Sequence, residues 1–200
     1  MSQADDATRD SAYAQRLADL QGARWKRLVS VQRPYRWNLR RLQLGRALDV
    51  GCGIGRNLEN LGGNGVGVDH NADAVAACRA RGFVAYTSGE FPDSVDAKPS
   101  SFSSLLFAHV LEHMSRRDAT ALVRAYLRYL ACPGKVVFIT PQERGHASDP
   151  THVEFMDTEV LTGIAADCGL AVGRSFSFPF PRWFGRLFTY NEFVVVATVR

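Results

Sequence analysis

At 200 residues the chain suits one generous domain, and its 46% hydrophobic and 22% charged residues are ordinary globular usage that excludes wholesale disorder and collagen-like repeats. No apolar run reaches the roughly 18–20 residues of a membrane span, and residues 1–10 are polar and acidic, unlike a signal peptide. The net charge of +4 is unevenly spread: residues 1–46 carry ten basic side chains against four acidic ones, the remainder fourteen against sixteen.

Residues 1–8 read as a loose tail. From Asp10 to about Leu42 the pattern is helical, with Ala14, Leu17, Leu20, Trp25, Leu28 and Val31 at helix spacing and a predicted break at Pro34. A short strand, Arg46 to Val50, then runs into glycines. A helix follows from about Arg56 to Leu61, and Gly65 to Asp69 is a second strand. Asn71 caps a helix through Val75 and Cys78 that ends at Gly82. Phe83 to Thr87 is a third strand, and Gly89 to Ser101 is loop with room for one helical turn. Phe102 to Ala108 is a fourth strand. Ser115 and Asp118 open a capped helix through Leu122, Tyr126 and Leu130, which Pro133-Gly134 is expected to stop. Lys135 to Thr140 is a fifth strand. After a polar loop, Asp157 caps a helix ending at Gly169, and Leu170 to Phe176 and Asn191 to Val199 are the last strands. Alternating strands and helices predict an α/β architecture with a parallel sheet, whose ligands sit just after the strands.

The residues at those places carry the chemistry. After the first strand stands Leu48-Asp49-Val50-Gly51-Cys52-Gly53-Ile54-Gly55, where glycines let the backbone turn sharply and approach a ligand. The following helix start suits a carboxylate. Asp69 ends the second strand, 18 residues beyond Gly51, where an acid can accept both hydroxyls of a ribose. A glycine loop alone fits many nucleotide-binding folds. Asp49 discriminates among them: an acid so close repels a pyrophosphate but suits a sulfonium ligand with an α-amino group.

This stretch resembles the first motif of class I S-adenosylmethionine-dependent methyltransferases, and Asp69 matches the acid of their second. The likeness covers about residues 44–200. Ala108-His109-Val110-Leu111-Glu112-His113 resembles the corresponding segment of the small-molecule O-methyltransferase branch, and Pro133-Gly134-Lys135 fits it too. The resemblance implies a Rossmann-like seven-stranded sheet of order 3-2-1-4-5-7-6 with the last strand antiparallel. It also implies an N-terminal tail and helical lid over 1–43, in front of a single methyltransferase unit over 44–200. Carried over by position, Asp49, Gly51, Cys52 and Gly53 would face the methionine part of S-adenosylmethionine and Asp69 its ribose. His70 and Asn71 would line the adenine, and His109 the adenine or methionine side. The family often has an Asp after the third strand; Thr87-Ser88 stands here instead, so a hydroxyl of Ser88 would take that contact.

Methyl transfer needs alignment, worth up to about 7–11 kcal/mol, and often a base, worth roughly a hundred- to ten-thousand-fold. The motifs that the wider family uses on nucleic-acid bases, Asn/Asp-Pro-Pro-Tyr or Pro-Cys, are absent after the fourth strand, which favours a hydroxyl acceptor. All five histidines fall between residues 70 and 152, and histidine is the natural base near neutral pH. The loop Thr140 to Phe155 is dense in polar residues, and Asp149-Pro150-Thr151-His152 resembles a segment of methyltransferases that tailor polysaccharides and other glycosides. His146 or His152 is the expected base, with Asp149 or Glu154 orienting it. His113, Glu143 and Arg182 are expected at the acceptor, with Tyr35 and Trp37 closing over the sulfonium. A minority reading places Mg²⁺ in the same loop, on Asp149 and Glu154.

The expected acceptor is a small molecule, a sugar or glycoside first and a phenol, quinone precursor or lipid second. RNA or protein modification is a weaker alternative, supported only by the basic N-terminus, which more simply reads as a solvated helix face; no nucleic acid is expected as partner. A donor-binding module without chemistry is disfavoured by the histidines. The aromatic and arginine-rich segment Phe178 to Tyr190 points first to a homodimer and next to an acceptor wall. Cys52, Cys78, Cys132 and Cys168 form no CxxC pair and read as reduced thiols of a cytoplasmic protein.

Overall fold

A computed structural model describes residues 25–199, with side chains described from residue 33. The predicted tail, and the helical stretch up to residue 24, lie outside the described residues. The described helix α1 spans Trp25–Arg41 and runs through Pro34, so the predicted break does not occur. Proline removes one hydrogen bond. Asn38 and Leu39, on the turn after it, are buried, as is Leu42 just beyond the helix, and this burial offsets the loss.

The strands are β1 (Ala47–Val50), β2 (Gly65–Asp69), β3 (Ala85–Thr87), β4 (Phe102–Ala108), β5 (Leu130–Pro141), β6 (Ala171–Phe178) and β7 (Glu192–Val199). They form one seven-stranded sheet in the order β3-β2-β1-β4-β5-β7-β6. β7 runs antiparallel to both of its neighbours, as the resemblance implied. Contacts divide the described residues into two compact units, residues 25–97 and 98–199.

In the first unit, β2 pairs in parallel with β1 and with β3. Helices α2 (Arg56–Asn60) and α3 (Ala72–Ala80) follow β1 and β2. Asn71 caps α3 as predicted, its side chain accepting from the Ala74 N–H at 3.0 Å. Leu58, Val75, Cys78 and Ala85 make the core beneath. Gly67 is required here, because a Cβ at that position would stand 2.6 Å from Cys52 Sγ.

In the second unit, β4 is buried along nearly its whole length, as a strand flanked on both faces must be. Phe107 and Phe138 stack across β4 and β5 with ring centroids 5.7 Å apart. Helices α4 (Arg116–Leu127), the single turn α5 (Glu143–His146) and α6 (Thr158–Asp167) complete the unit. Ser115 and Asp157 cap α4 and α6 as predicted. β5 departs from expectation by starting at Leu130. Phe102 pairs with Leu130 but Ser104 with Lys135, so Ala131 to Gly134 form a bulge. Pro133 therefore does not end the helix; it sits where a strand tolerates a missing donor. Among the described residues, no helix is long and apolar enough to cross a membrane.

Candidate active site

The first unit holds the glycine loop. Gly51, Gly53 and Gly55 have φ of 80°, 52° and 81°, a left-handed run that side chains resist. The loop's own N–H groups are committed within the protein. Those of Gly51 and Cys52 both donate to the Val68 carbonyl, at 2.8 and 3.1 Å. That of Gly53 donates to Asp69 Oδ2 at 2.7 Å, and that of Asn71 to Asp69 Oδ1 at 2.9 Å. The Asp69 carboxylate is thus fixed from both sides. Among the described residues other than its chain neighbours, no atom lies within 4 Å of where a Cβ on Gly53 would be, so the loop presents bare backbone there.

Asp49 is fully buried beside this loop. Its Oδ1 accepts from Asn57 Nδ2 at 3.3 Å, while Oδ2 has no hydrogen-bond partner among the described residues. Burial is the main cause that pushes its carboxyl up to about 7; the Asn57 bond opposes this and the Asp69 charge adds to it. A buried oxygen without a partner and an acid strained toward neutrality suit a cation such as the α-ammonium of S-adenosylmethionine. They do not suit a phosphate. Around them, the exposed His70 has Nδ1 3.5 Å from Asp69 Oδ1, the side chain of Asn71 caps α3, and Ser88 is exposed with its N–H on the Asp69 carbonyl at 2.9 Å. Cys52 is buried with a free thiol. Tyr35 is half-buried, and Trp37 is 57% exposed under the Arg41 guanidinium.

The second unit gathers the remaining histidines. His109, directly after β4, adopts a left-handed φ of 58°. Its Nε2 bonds Glu192 Oε1 at 2.8 Å, and Nδ1 stands 3.3 Å from Glu112 Oε1 without hydrogen-bond alignment. Dehydration opposes the charge most strongly, but the two carboxylates prevail and hold His109 above its ordinary value. It is thus an imidazolium between two acids rather than a base.

Glu112 is buried, and among the described residues neither of its oxygens has a hydrogen-bond partner. Its backbone carbonyl accepts from the Val153 and Glu154 N–H groups at 2.8 and 3.3 Å, which ties the loop after β5 to the turn after β4. That tie stacks three imidazoles. His113 and His152 lie 4.8 Å apart between ring centroids, and His152 and His146 5.0 Å. Burial is the main cause that lowers the His113 and His146 pKa values, so both rings stay neutral near pH 7. His146 Nδ1 is buried and has no hydrogen-bond partner among the described residues.

The loop acids behave differently from expectation. Asp149 Oδ1 accepts from the Thr151 N–H and hydroxyl at 3.0 and 2.7 Å, and Glu154 Oε2 accepts from the Arg116 N–H at 2.6 Å. Among the described residues neither hydrogen-bonds a histidine, and the two do not share a cation-sized cluster. Glu143 and Arg182 form a two-pronged ion pair at 2.5 and 2.8 Å, which holds the Glu143 carboxyl below its ordinary value. The sequence reading missed Glu112, Glu192 and Asn57 as functional residues. Glu112 stands inside the His-Val-Leu-Glu-His run and was open to notice; Glu192 reaches His109 across 83 residues and left no local signal.

A sequence profile described as a methyltransferase domain matches residues 15–173. Among solved structures, the chain is similar to an S-adenosylmethionine-dependent methyltransferase from Archaeoglobus fulgidus (20% identity, covering 82% of this chain and 93% of that one, TM-score 0.65). It is also similar to magnesium protoporphyrin IX methyltransferase from Synechocystis PCC 6803, solved with bound S-adenosylmethionine (13% identity, covering 98% and 94%, TM-score 0.62). A third relative, from Thermotoga maritima, is described as a possible histamine N-methyltransferase (17% identity, covering 90% and 97%, TM-score 0.63). At these identities the likeness is one of fold. No curated protein matches the chain.

Proposed function

This chain belongs to the methyltransferase-domain family, and we propose on that premise that it transfers the methyl group of S-adenosylmethionine to a hydroxyl of a small molecule, a sugar or glycoside first. The observation that carries the donor assignment is the buried Asp49 oxygen, without a hydrogen-bond partner among the described residues, beside a glycine loop whose Gly51, Cys52 and Gly53 N–H groups are already committed. When bound, S-adenosylmethionine supplies a methyl group already activated by its sulfonium. The chain's own residues then bind and align. Asp49 pairs with the α-ammonium, Gly51, Cys52 and Gly53 give backbone clearance, and the fixed Asp69 carboxylate accepts the ribose hydroxyls. His70, Asn71 and Ser88 line the remainder of the donor.

On the acceptor side, His146 is the proton acceptor, because it keeps an uncommitted ring nitrogen. His152 supports it by stacking and by its Nδ1 contact to the His146 carbonyl at 2.8 Å. The polar loop, with Asp149, Glu143 and Arg182, supplies the hydrogen-bonding groups a sugar needs in place of water. A phenol, quinone precursor or lipid is the second reading, favoured by the exposed Phe180, Trp183, Leu187 and Tyr190. The same face is the proposed homodimer contact.

The test is transfer of a labelled methyl group to a panel of glycosides, phenols and quinone precursors. Label in a glycoside, with turnover lost in His146→Ala at unchanged donor affinity, is expected. Label only in phenols or quinones would replace the sugar reading, and full turnover in His146→Ala would remove its role as base.

A further inference from the structure

Glu112, His113 and His152 each offer one ligating atom, and those atoms lie within 4.8 Å of one another. This is the one group of three or more such side chains among the described residues. We propose that Glu112, His113 and His152 form a binding site for a first-row transition cation of the zinc class.

The hydrogen bonds around the three side chains support this. His113 Nδ1 faces the Thr151 carbonyl at 3.2 Å, and His152 Nδ1 faces the His146 carbonyl at 2.8 Å. A carbonyl only accepts, so each Nδ1 carries the proton and each Nε2 is left with its lone pair. Ligating histidines are typically held this way, with the second nitrogen anchored so that the first points at the metal. His152 Nε2 stands 4.0 Å from Glu112 Oε1. Two donors about 2.0–2.2 Å from one tetrahedral zinc ion lie about 3.3–3.6 Å apart, so that gap closes on a shared ion with a shift of roughly half an ångström.

Glu112 gives the independent sign. Among the described residues neither oxygen of this buried carboxylate is hydrogen-bonded, and the His109 imidazolium stands beside Oε1 alone, which leaves Oε2 facing a cost that a second cation would offset. His109 touches one oxygen, but it also has Glu192, and Glu192 retains it when another cation takes Glu112. Two imidazoles and one carboxylate favour zinc-class ions over Mg²⁺, which prefers oxygen and water. Three protein ligands also leave a coordination position open. On the transfer reading above, and only on it, that position receives the acceptor hydroxyl and lowers its pKa.

The site is tested without donor or acceptor. Metal-free protein is titrated with Co²⁺, followed by its visible absorption, and then with Zn²⁺ by calorimetry. One equivalent per chain is expected, with Zn²⁺ displacing Co²⁺ and millimolar Mg²⁺ failing to do so. Glu112→Gln and His152→Gln should each weaken Zn²⁺ by more than about a hundredfold; if one variant does not fold, the other decides. No stoichiometric binding, binding undisturbed by the folded variant, or equal displacement by Mg²⁺ would overturn the proposal. Donor affinity of His152→Gln is measured in parallel and is expected to match the wild type. Loss of donor binding in the wild-type protein itself would sink the transfer reading while leaving the cation site standing.

Discussion

Asp49→Asn should stabilise the ligand-free protein while weakening its grip on the donor. The carboxyl moves from 3.8 to about 7 on folding, chiefly because it is buried. A raised acid means that the native state holds a proton the unfolded chain has released. The stability tied to Asp49 is therefore full below pH 3.8 and is lost as pH rises to about 7. At about 1.36 kcal/mol per pH unit, the loss is about 2 kcal/mol at pH 5 and about 4 kcal/mol at pH 8. Asparagine has no such titration, and its carbonyl can keep the bond from Asn57. Its amide N–H₂ inherits the unpartnered position, at a cost of about 1–3 kcal/mol. The net expectation is a gain of about 1–3 kcal/mol at pH 8 and about zero at pH 5. Urea unfolding of both proteins at the two pH values measures this. Calorimetry with S-adenosylmethionine should show affinity falling about 10- to 150-fold, the worth of a hydrogen bond to a charged group. A variant no more stable than wild type at pH 8, or one with unchanged donor affinity, would refute the reasoning.

Asp69→Ala should abolish measurable donor binding in the same calorimeter, because no other carboxylate is fixed by the Gly53 and Asn71 N–H groups. Leu106→Ala, at a fully buried position in β4, should cost about 2–5 kcal/mol in urea unfolding. Asp157→Ala removes a cap that accepts from two N–H groups of α6 and should cost about 1 kcal/mol. Arg182→Ala breaks an exposed ion pair and should change stability by less than about 1 kcal/mol; a large fall in kcat/KM carried by a raised acceptor KM would place it at the acceptor.

The sequence by itself determined the elements and the glycine loop with its two acids, Asp49 and Asp69. Alternating apolar strands and capped helices are local patterns, and a strand buried on both faces cannot hide its composition, as β4 illustrates. The glycine run and Asp49 were legible because a strand and its turn place them within a few residues of one another, and Asp69 because it ends the next strand, 18 residues beyond Gly51; the strand order came from the resemblance those motifs carry. Asn71, Ser115 and Asp157 were legible as caps for the same local reason. Two local signals were overruled. Pro34 continues a helix because burial beyond it outweighs one lost hydrogen bond, and Pro133 rides in a bulge because β5 pairs on both sides of it. What only the tertiary structure decided is which side chains meet. Glu112 reaches His152, and His109 reaches Glu192, because loops after β4 and β5 and the start of β7 converge at one end of the second unit. The acids nearest the histidines in sequence, Asp149 and Glu154, turn instead to Thr151 and the Arg116 N–H. A periodic pattern states which face of an element is buried. It carries no term for two side chains 40 or 80 residues apart, whose distance is set by the packing of everything between them.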